Sequence, residues 1–291
     1  MTALTASAAA EIEQPGAMRR NLGFVLAAVI AIFWLAPIAI LAMNAFKTPN
    51  EFLMTSNLTP PVSVSNIIVN LQNAWAKGLS SGFVNSLLYG VVGSAGAVAL
   101  ASLAAFGIVR LKIPRGLFWF LLIYSGTIWP FQMYLIPLFN AYLQTGFYDT
   151  RIGMIAFYIA ICIPFCTFVM RGFFLTVPWE IQEAAYVDGA NSWTVFWRIM
   201  FPMARAPMIL LLLIQFTWIW NDLLFGLVLS KSDSVRPVMV ALVGMQGVYG
   251  AKDGPSVIAA TLICSAPTLI LFLFLQRYFV RGLTIGVSGG R

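Results

Sequence analysis

The chain has 291 residues, of which 60% are hydrophobic and only 9% are charged, and its mean hydropathy is +0.87. Soluble proteins carry roughly 25% charged residues, so this composition excludes an ordinary water-soluble domain and indicates that lipid surrounds most of the surface. The net charge of +7 follows from where Lys and Arg lie around the apolar segments, so no nucleic acid partner is needed to explain it.

Six long apolar segments follow one another along the chain and predict an all-α membrane protein with six transmembrane helices. A helix needs about 20 residues to cross the hydrocarbon core, and in lipid it satisfies its backbone hydrogen bonds internally. Together they form one transmembrane domain, residues 22–280, between an N-terminal tail, 1–21, and a C-terminal tail, 281–291. The predicted spans are residues 22–46, 83–109, 117–139, 152–170, 208–229 and 257–276.

The first segment has a competing interpretation as a cleaved signal peptide. A signal core is about 7–15 residues long, whereas the apolar run over residues 22–46 is longer. A transmembrane helix is therefore favoured, and residues 1–21 are interpreted as a flexible cytoplasmic tail.

Lys and Arg are unevenly divided between the two sides of the predicted spans. If both termini are cytoplasmic, eleven of the 17 basic residues lie inside and six lie outside. Because positively charged loops tend to remain in the cytoplasm, both termini are predicted to be cytoplasmic. Loops 110–116 and 171–206 then face inward, and loops 47–82 and 230–256 face outward.

The sequence offers few residues for catalysis or metal binding. It has no histidine, and Cys162, Cys166 and Cys264 all lie in predicted spans, where packing is their favoured role. Cys162 and Cys166 share a helix face, but two thiols without further ligands make a poor metal site. There is no G-x-x-x-x-G-K-[ST] loop for nucleotide phosphates. We therefore assign no catalytic residue, metal or cofactor to this chain, and any energy from ATP must enter through another subunit.

Prolines interrupt two of the predicted spans. Pro130 and Pro137 lie in the third span and Pro164 lies in the fourth. Kinks or freed backbone carbonyls are expected at these positions, either lining a cavity or packed against neighbours.

The predicted cytoplasmic loop 171–206 contains two short amphipathic helices. Pro178 suits the first turn of one helix, and Gly189 can adopt the left-handed conformation that ends it. Ser192 is the predicted N-cap of the second helix, which Pro202 is expected to end. Small apolar residues beside an acidic one suit a groove on a partner protein. A helix anchored at the membrane interface is the alternative, and the Trp residues of the loop are compatible with it.

The fifth predicted span carries one polar face. Gln215, Trp218 and Asp222 fall at positions i, i+3 and i+7, and Asn221 precedes the carboxylate. A carboxylate inside a span is costly unless it meets water or a partner. Two interpretations stay open for Asp222: it lines a polar pathway, or it makes a structural hydrogen bond to a neighbouring helix or subunit. The candidate pathway residues are Gln215, Trp218, Asn221 and Asp222.

The loop between the fourth and fifth spans also carries a recognisable motif. It reads Glu183-Ala184-Ala185, three residues, Gly189, nine residues, and Ile199-Met200-Phe201-Pro202. This resembles the EAA loop of ABC importer permeases, E-A-A-x3-G-x9-I-x-L-P, with Phe201 where Leu is usual. In that family the loop forms coupling helices that sit in a cleft of the ATPase subunit. The resemblance implies this coupling role for Glu183, Ala184, Ala185, Asp188, Gly189 and Pro202.

Other stretches are similar to the carbohydrate branch of that family, specifically the smaller permease of maltose-type systems. The resemblance covers nearly the whole chain after residue 22, although residues 286–290 match the family's tail only loosely. The similar stretches are residues 83–86, 104–110, 136–139, 218–222 and 276–283.

The resemblance implies a six-helix permease of a bacterial cytoplasmic membrane that works by alternating access. Its implied partners are a second, related permease, two ATPase subunits that bind ATP and Mg, and an extracytoplasmic solute-binding protein. A sugar or oligosaccharide is the implied solute.

Three other functions compete with this one. A secondary transporter would have to build its ion relay on Asp222 alone. An intramembrane enzyme would lack the residues for general acid–base catalysis. An ABC permease for another solute, such as glycerol phosphate, phosphate or amino acids, is opposed only by the carbohydrate-like stretches.

Overall fold

The computed structural model describes residues 17–111, 113–250 and 252–288, and all regular secondary structure in these ranges is helical. This confirms the predicted all-α class. Of the predicted N-terminal tail, residues 1–16 lie outside the described residues, as do residues 289–291 of the predicted C-terminal tail.

Fourteen helices follow one another in the described residues. A kink at Trp75–Leu79, in which Lys77 and Gly78 leave the helical conformation, connects α3 to α4. A π-helical turn, Phe196–Met200, and two 3-10 turns, Ser125–Thr127 and Phe131–Tyr134, connect others. The helices are α1 (Ala17–Asn44), α2 (Pro49–Met54), α3 (Asn66–Ala74), α4 (Ser80–Arg110), α5 (Gly116–Tyr124), α6 (Leu135–Thr145), α7 (Arg151–Thr176), α8 (Trp179–Val187), α9 (Ser192–Val195), α10 (Phe201–Met203), α11 (Arg205–Trp220), α12 (Leu224–Leu229), α13 (Val238–Tyr249) and α14 (Gly254–Ser288).

Four of the predicted spans correspond to helices long and apolar enough to cross a membrane. These are α1, α4 together with the kinked helical stretch from Asn66 that precedes it, α7 and the part of α14 up to Phe274. Pro164 lies inside α7, which continues past it as one helix. The helix α14 also runs through residues 281–288, into the predicted C-terminal tail.

The third and fifth predicted spans are broken. The third is divided at Pro130, which has no backbone N–H to donate, into α5 and α6 with 3-10 turns between them. The fifth is divided at residues 221–223 into α11 and α12. In addition, α11 is bent by 73° from the helical stretch Ser192–Met203 that precedes it. The count of six spans therefore stays a prediction. In it, α5 and α6 together form the third span, and α11 and α12 together form the fifth.

The centre of the molecule is α4, which packs against α7 and α11 along a stripe of small residues. Ala97, Ala101 and Ala105 in this stripe are fully buried. A Cβ atom at Gly93 would lie 3.1 Å from Cβ of Tyr158 on α7 and 3.0 Å from Cδ1 of Ile219 on α11. Small residues allow this close approach of helices in lipid, where packing rather than hydrophobicity drives association.

Polar contacts join the predicted outer ends of the helices. The Asp149 carboxylate, in the turn between α6 and α7, accepts hydrogen bonds from the backbone N–H of Lys231 (2.8 Å) and Ser232 (2.9 Å) and from the Ser232 hydroxyl (3.1 Å). Burial raises the pKa of the Asp149 carboxyl, but these donors outweigh burial and hold the pKa below its ordinary value of 3.8. A Lys77–Asp253 ion pair ties the turn before α4 to the start of α14.

We expect Asp149→Asn to remove a pH-dependent part of the stability and to preserve the local geometry. All three bonds go to one oxygen, Oδ1, which an amide oxygen can replace. Because the folded pKa is lowered, the stabilisation by the charged Asp149 is present above pH 3.8 and is lost as the pH falls through the folded pKa. Thermal unfolding of the purified protein between neutral and acid pH checks this. The gap in Tm between wild type and Asp149→Asn should close on acidification, and a gap that is constant with pH would contradict it.

Candidate functional site

The helix α8 carries the EAA residues and presents one side outward. Pro178 is the N-cap residue, one position before the first turn in which it was predicted. Glu180 lies in that turn, where a carboxylate suits the positive helix end. Glu183 and Ala184 are exposed, whereas Ala185 is only 7% exposed and packs against the chain's own core. Adjacent helical residues point about 100° apart, and here Ala184 faces outward while Ala185 faces the core. The small apolar residues of the motif are thus divided between an outward-facing and an inward-facing side.

Gly189 ends α8 in the way its residue type predicts. Its φ is +83°, its N–H donates to the carbonyl of Tyr186 (3.0 Å), and the N–H of Ala190 donates to the carbonyl of Ala185 (2.9 Å). These two bonds make a Schellman motif, in which glycine relieves the strain of the left-handed conformation. The resulting turn holds Asp188 and Gly189 at the exposed tip of the loop.

The second helix of the loop begins and ends differently from the prediction. Asn191, not Ser192, is the N-cap, because its side-chain oxygen accepts a hydrogen bond from the backbone N–H of Thr194 at 2.8 Å. Pro202 does not end the helix at Phe201. The helical stretch that begins at Ser192 continues through Pro202 to Met203, and the bend to α11 follows it.

The aromatic residues of this second helix are divided in the same way as the alanines of α8. Phe196 and Met200 are buried, whereas Trp193 is 62% exposed and Trp197 is 40% exposed. The Trp197 ring contacts Trp193 (5.6 Å between centroids) and Phe201 (4.9 Å). The large apolar residues of this helix are therefore divided between a core-facing side and an outward-facing side.

Two residues that the sequence analysis gave no role hold the loop to the spans. Arg110, the last residue of α4, donates from its guanidinium to the carbonyls of Phe174 and Val177 where α7 ends. Gln182, on the inward side of α8, donates to the backbone carbonyl of Arg110 at 3.2 Å. Both side chains are 2% exposed. The sequence contains two features that could have indicated this role. Arg110 directly follows a long apolar segment, and Gln182 is a polar residue beside the small apolar residues of the EAA motif.

Asp222 lies in the break between α11 and α12 and is only 8% exposed. Its Oδ2 atom accepts a hydrogen bond from the hydroxyl of Tyr158 on α7 (2.9 Å) and another from the backbone N–H of Gly226 (3.0 Å). Its Oδ1 atom accepts from the N–H of Phe225 at 3.3 Å. The carboxylate thus caps α12 and joins it to α7, which is the contact that a structural role requires.

Two cavities adjoin the polar face of α11. The larger, of about 620 Å³, is bordered by Trp218, Asn221 and Asp222, and its volume falls in the range of about 300–1,000 Å³ typical of ligand sites. The smaller, of about 240 Å³, is bordered by Gln215 and Trp218. Trp218 thus borders both. Gln215 is buried, and Asn221 is exposed. Among the described residues, no group of three or more His, Cys, Asp or Glu side chains is placed to bind a metal ion.

Comparisons with known proteins agree with this architecture. Residues 15–285 match the family model described as "Binding-protein-dependent transport system inner membrane component". The probable ABC transporter permease protein YurM of Bacillus subtilis is 30% identical, over 92% of this chain and 87% of its own length. The melibiose/raffinose/stachyose import permease protein MelC of the same species is 29% identical, over 91% of this chain and 95% of its own length.

The fold has a counterpart among solved structures. A chain of a bacterial ABC transporter involved in the import of the acidic polysaccharide alginate superimposes with a TM-score of 0.76. It covers 91% of this chain and 99% of its own length at 21% sequence identity, so this likeness concerns the fold alone. The family match covers nearly the whole chain, including the exposed helix α8 and the broken helix that carries Asp222. The chain therefore belongs to the family of binding-protein-dependent transport system inner membrane components and is an ABC transporter permease subunit.

Proposed function

We propose that the chain carries a sugar or oligosaccharide across the cytoplasmic membrane, driven by ATP hydrolysis on a partner subunit. The family match over residues 15–285 carries the transport part of the proposal, and the similarity to MelC carries the solute class. MelC, which aligns over nearly its whole length, is by its name an import permease for melibiose, raffinose and stachyose. The cavity of about 620 Å³ beside Trp218 and Asn221 has a volume that suits such a solute.

The partners in this proposal are a second permease, two ATPase subunits that bind ATP and Mg, and an extracytoplasmic solute-binding protein. The family's description as binding-protein-dependent supports the last of these. The sequence has no nucleotide-binding loop, which supports ATP hydrolysis on a separate chain. The chain then acts as a transport subunit and not as an enzyme.

The proposed contact with the ATPase is the outward side of α8 and the turn that follows it. Glu183, Ala184, Asp188 and Gly189 are exposed there and project from a helix with a rigid end. Ala185 and Pro202 would contribute indirectly, since Ala185 packs inward and Pro202 is partly buried at the bend that leads to α11.

The proposed solute pathway runs along the polar face of α11. Trp218 offers an apolar ring face for a sugar, and the exposed Asn221 amide offers polar atoms for its hydroxyls. Gln215 extends the polar wall into the smaller cavity. Asp222 shapes the wall by holding the helix break, with its carboxylate already occupied by Tyr158 and two backbone N–H groups.

The solute class is tested by uptake in cells that lack the chain and in cells that carry it on a plasmid. Radiolabelled melibiose, raffinose, maltose, trehalose, glucose and glycerol 3-phosphate form the panel. We expect plasmid-dependent uptake of at least one sugar and none of glycerol 3-phosphate. Plasmid-dependent uptake of glycerol 3-phosphate alone would contradict the sugar assignment and favour a permease for a phosphorylated solute.

Both termini are proposed to be cytoplasmic, with loop 171–206 inside and loop 47–82 outside, on the charge distribution described above. Single cysteines at positions 188 and 64, where Asp188 and Val64 are exposed, test this in a background without Cys162, Cys166 and Cys264. In intact cells a membrane-impermeant maleimide should label position 64 and leave position 188 unlabelled until the cells are permeabilised. Labelling of position 188 in intact cells would contradict the orientation.

A further inference from the structure

Arg110 is a charged residue held almost entirely inside the protein at the end of α4. It is 2% exposed, and the ion pairs in the described part of the chain do not include it. Its Nη2 atom instead donates to the carbonyl oxygens of Phe174 (2.5 Å) and Val177. These carbonyls belong to the last turn of α7 and the residue after it, where the negative end of the helix dipole favours a cation. Arg110 therefore fastens the end of α4 to the end of α7.

The same residue also contacts α8, which bears the EAA motif. The guanidinium carbon lies 4.6 Å from the centroid of the Trp179 ring, at the first residue of α8. The backbone carbonyl of Arg110 accepts a hydrogen bond from Nε2 of the buried Gln182. Gln182 donates in turn to the Tyr186 hydroxyl (3.0 Å), which pairs with the Ser192 hydroxyl (3.1 Å). Side chain and main chain of one residue thus join three helices.

Burial of the Arg110 guanidinium is not explained by a gain in folding stability. The Nε and Nη1 atoms of Arg110 are buried, and neither has a hydrogen-bond partner in the described residues. Burying a cation without an anion carries a desolvation penalty, and a well-packed apolar side chain often serves stability at least as well. An arginine at this position fixes the relative orientation of the helices, because its planar guanidinium donates hydrogen bonds to two carbonyls and also stacks on an aromatic ring.

We propose that Arg110 is a positioning residue that makes α8 and the ends of α4 and α7 into one rigid joint. The joint passes the motion that the ATPase imposes on α8 to the two central spans. Without it, the short link between α7 and α8 would absorb that motion. This inference rests on the proposed coupling role of α8, and it extends the coupling machinery to Arg110 and its partner Gln182, outside the EAA motif.

The test uses the complete importer, purified with its partner permease and ATPase subunits, and measures ATP hydrolysis with and without the system's binding protein. Four variants are compared: Arg110→Met, Arg110→Lys, Gln182→Leu and, as the matched control, Arg115→Met. Arg115 is an exposed arginine in the neighbouring loop, so its replacement removes the same charge without touching the joint. Retention of the ATPase subunits on purification is scored for each.

We expect Arg110→Met to lower the stimulation by the binding protein by about 5-fold or more, the size of a typical coupling between sites. The ATPase subunits should remain bound, and Arg115→Met should behave as wild type. Arg110→Lys should give a stimulation between that of Arg110→Met and that of wild type, because its ammonium group can still donate to the carbonyls that end α7 but lacks the planar group that stacks on Trp179. A purely space-filling role would give the opposite order, since Met fills the site without a charge, so stimulation in Arg110→Met equal to that in Arg110→Lys would overturn the proposal.

Two further outcomes are decisive. If the importer with Arg110→Met does not assemble, the importer with Gln182→Leu decides the matter. Reduced stimulation of its ATP hydrolysis by the binding protein supports the joint, and stimulation equal to that of wild type overturns it. Glu183→Lys, measured alongside, separates the coupling role of α8 from the role of Arg110. Loss of the ATPase subunits in Glu183→Lys together with normal stimulation in Arg110→Met would leave α8 as the coupling helix and reject Arg110 as its joint.

Discussion

Glu183→Lys is expected to abolish solute uptake although the chain still inserts into the membrane. Glu183 is exposed on the outward side of α8, on the surface proposed to meet the ATPase. A lysine there would place a positive charge where the partner's groove is expected to receive a negative one, and such a mismatch costs several kcal/mol of binding free energy. A loss of about 2 kcal/mol already weakens binding roughly 30-fold. Insertion should be unaffected, because the residue lies outside the membrane-spanning helices. Glu183→Gln, which keeps the shape and removes the charge, should give an intermediate loss.

The turn after α8 provides an independent test of the same surface. A Cβ at Gly189 would meet no atom within 4 Å, so a substitution is opposed by the backbone φ of +83° and not by space. Gly189→Val should therefore disrupt the turn, since this conformation costs an L-residue about 1–2 kcal/mol, and β-branching makes it worse. Gly189→Asn, which tolerates the left-handed region, is the matched control and should retain most uptake. Normal uptake and normal retention of the ATPase subunits in both Glu183→Lys and Gly189→Val would refute the assigned coupling surface.

Asp222→Ala is expected to lower the yield of assembled importer by about tenfold or more. The substitution removes the acceptor for the Tyr158 hydroxyl and for the N–H groups of Phe225 and Gly226, all in a buried region. Each buried donor left without an acceptor costs about 1–3 kcal/mol. Tyr158→Phe removes one of the three donors and should have a smaller effect. Because the two residues share a hydrogen bond, the effects of Asp222→Ala and Tyr158→Phe should be less than additive in the double variant.

The matched variant for the pathway is Trp218→Ala. Trp218 borders both cavities and is only partly buried, so its loss should change the transport rate or the solute preference with little change in assembly. Yield is measured by co-purification of the partner subunits, and transport by initial uptake rates. An Asp222→Ala importer that assembles fully and has an altered solute preference would contradict the structural role and assign the carboxylate to direct solute contact.

The features predicted correctly from the sequence are helix ends and breaks that depend on the chemistry of a single residue. Gly189 ends α8 because glycine relieves a left-handed turn, and Pro130 breaks the third span because it lacks an N–H. The break at Asp222 was not predicted, since residues 208–229 read as one apolar run and the partner of the carboxylate, Tyr158, is 64 residues away. Local preferences also could not choose between Asn191 and Ser192 as N-cap, because both residue types are good caps.

The candidate site shows the same limit. The EAA motif identifies α8, but only the packing of the helix shows that Ala184 faces outward and Ala185 inward. Arg110 was missed because its acceptors are backbone carbonyls, which every residue has and which leave no signature in the sequence. Tertiary contacts of this kind require the helices to be assembled in space.

The most direct test of the account is solute uptake by the complete importer in proteoliposomes, with the binding protein outside and ATP either enclosed or omitted. The solute is the sugar accepted in the uptake panel. We predict uptake only with enclosed ATP and a catalytically active ATPase subunit, and none when a proton or sodium gradient is imposed without ATP. Uptake driven by an ion gradient in the absence of ATP would contradict the assignment of this chain as the permease of an ATP-driven importer.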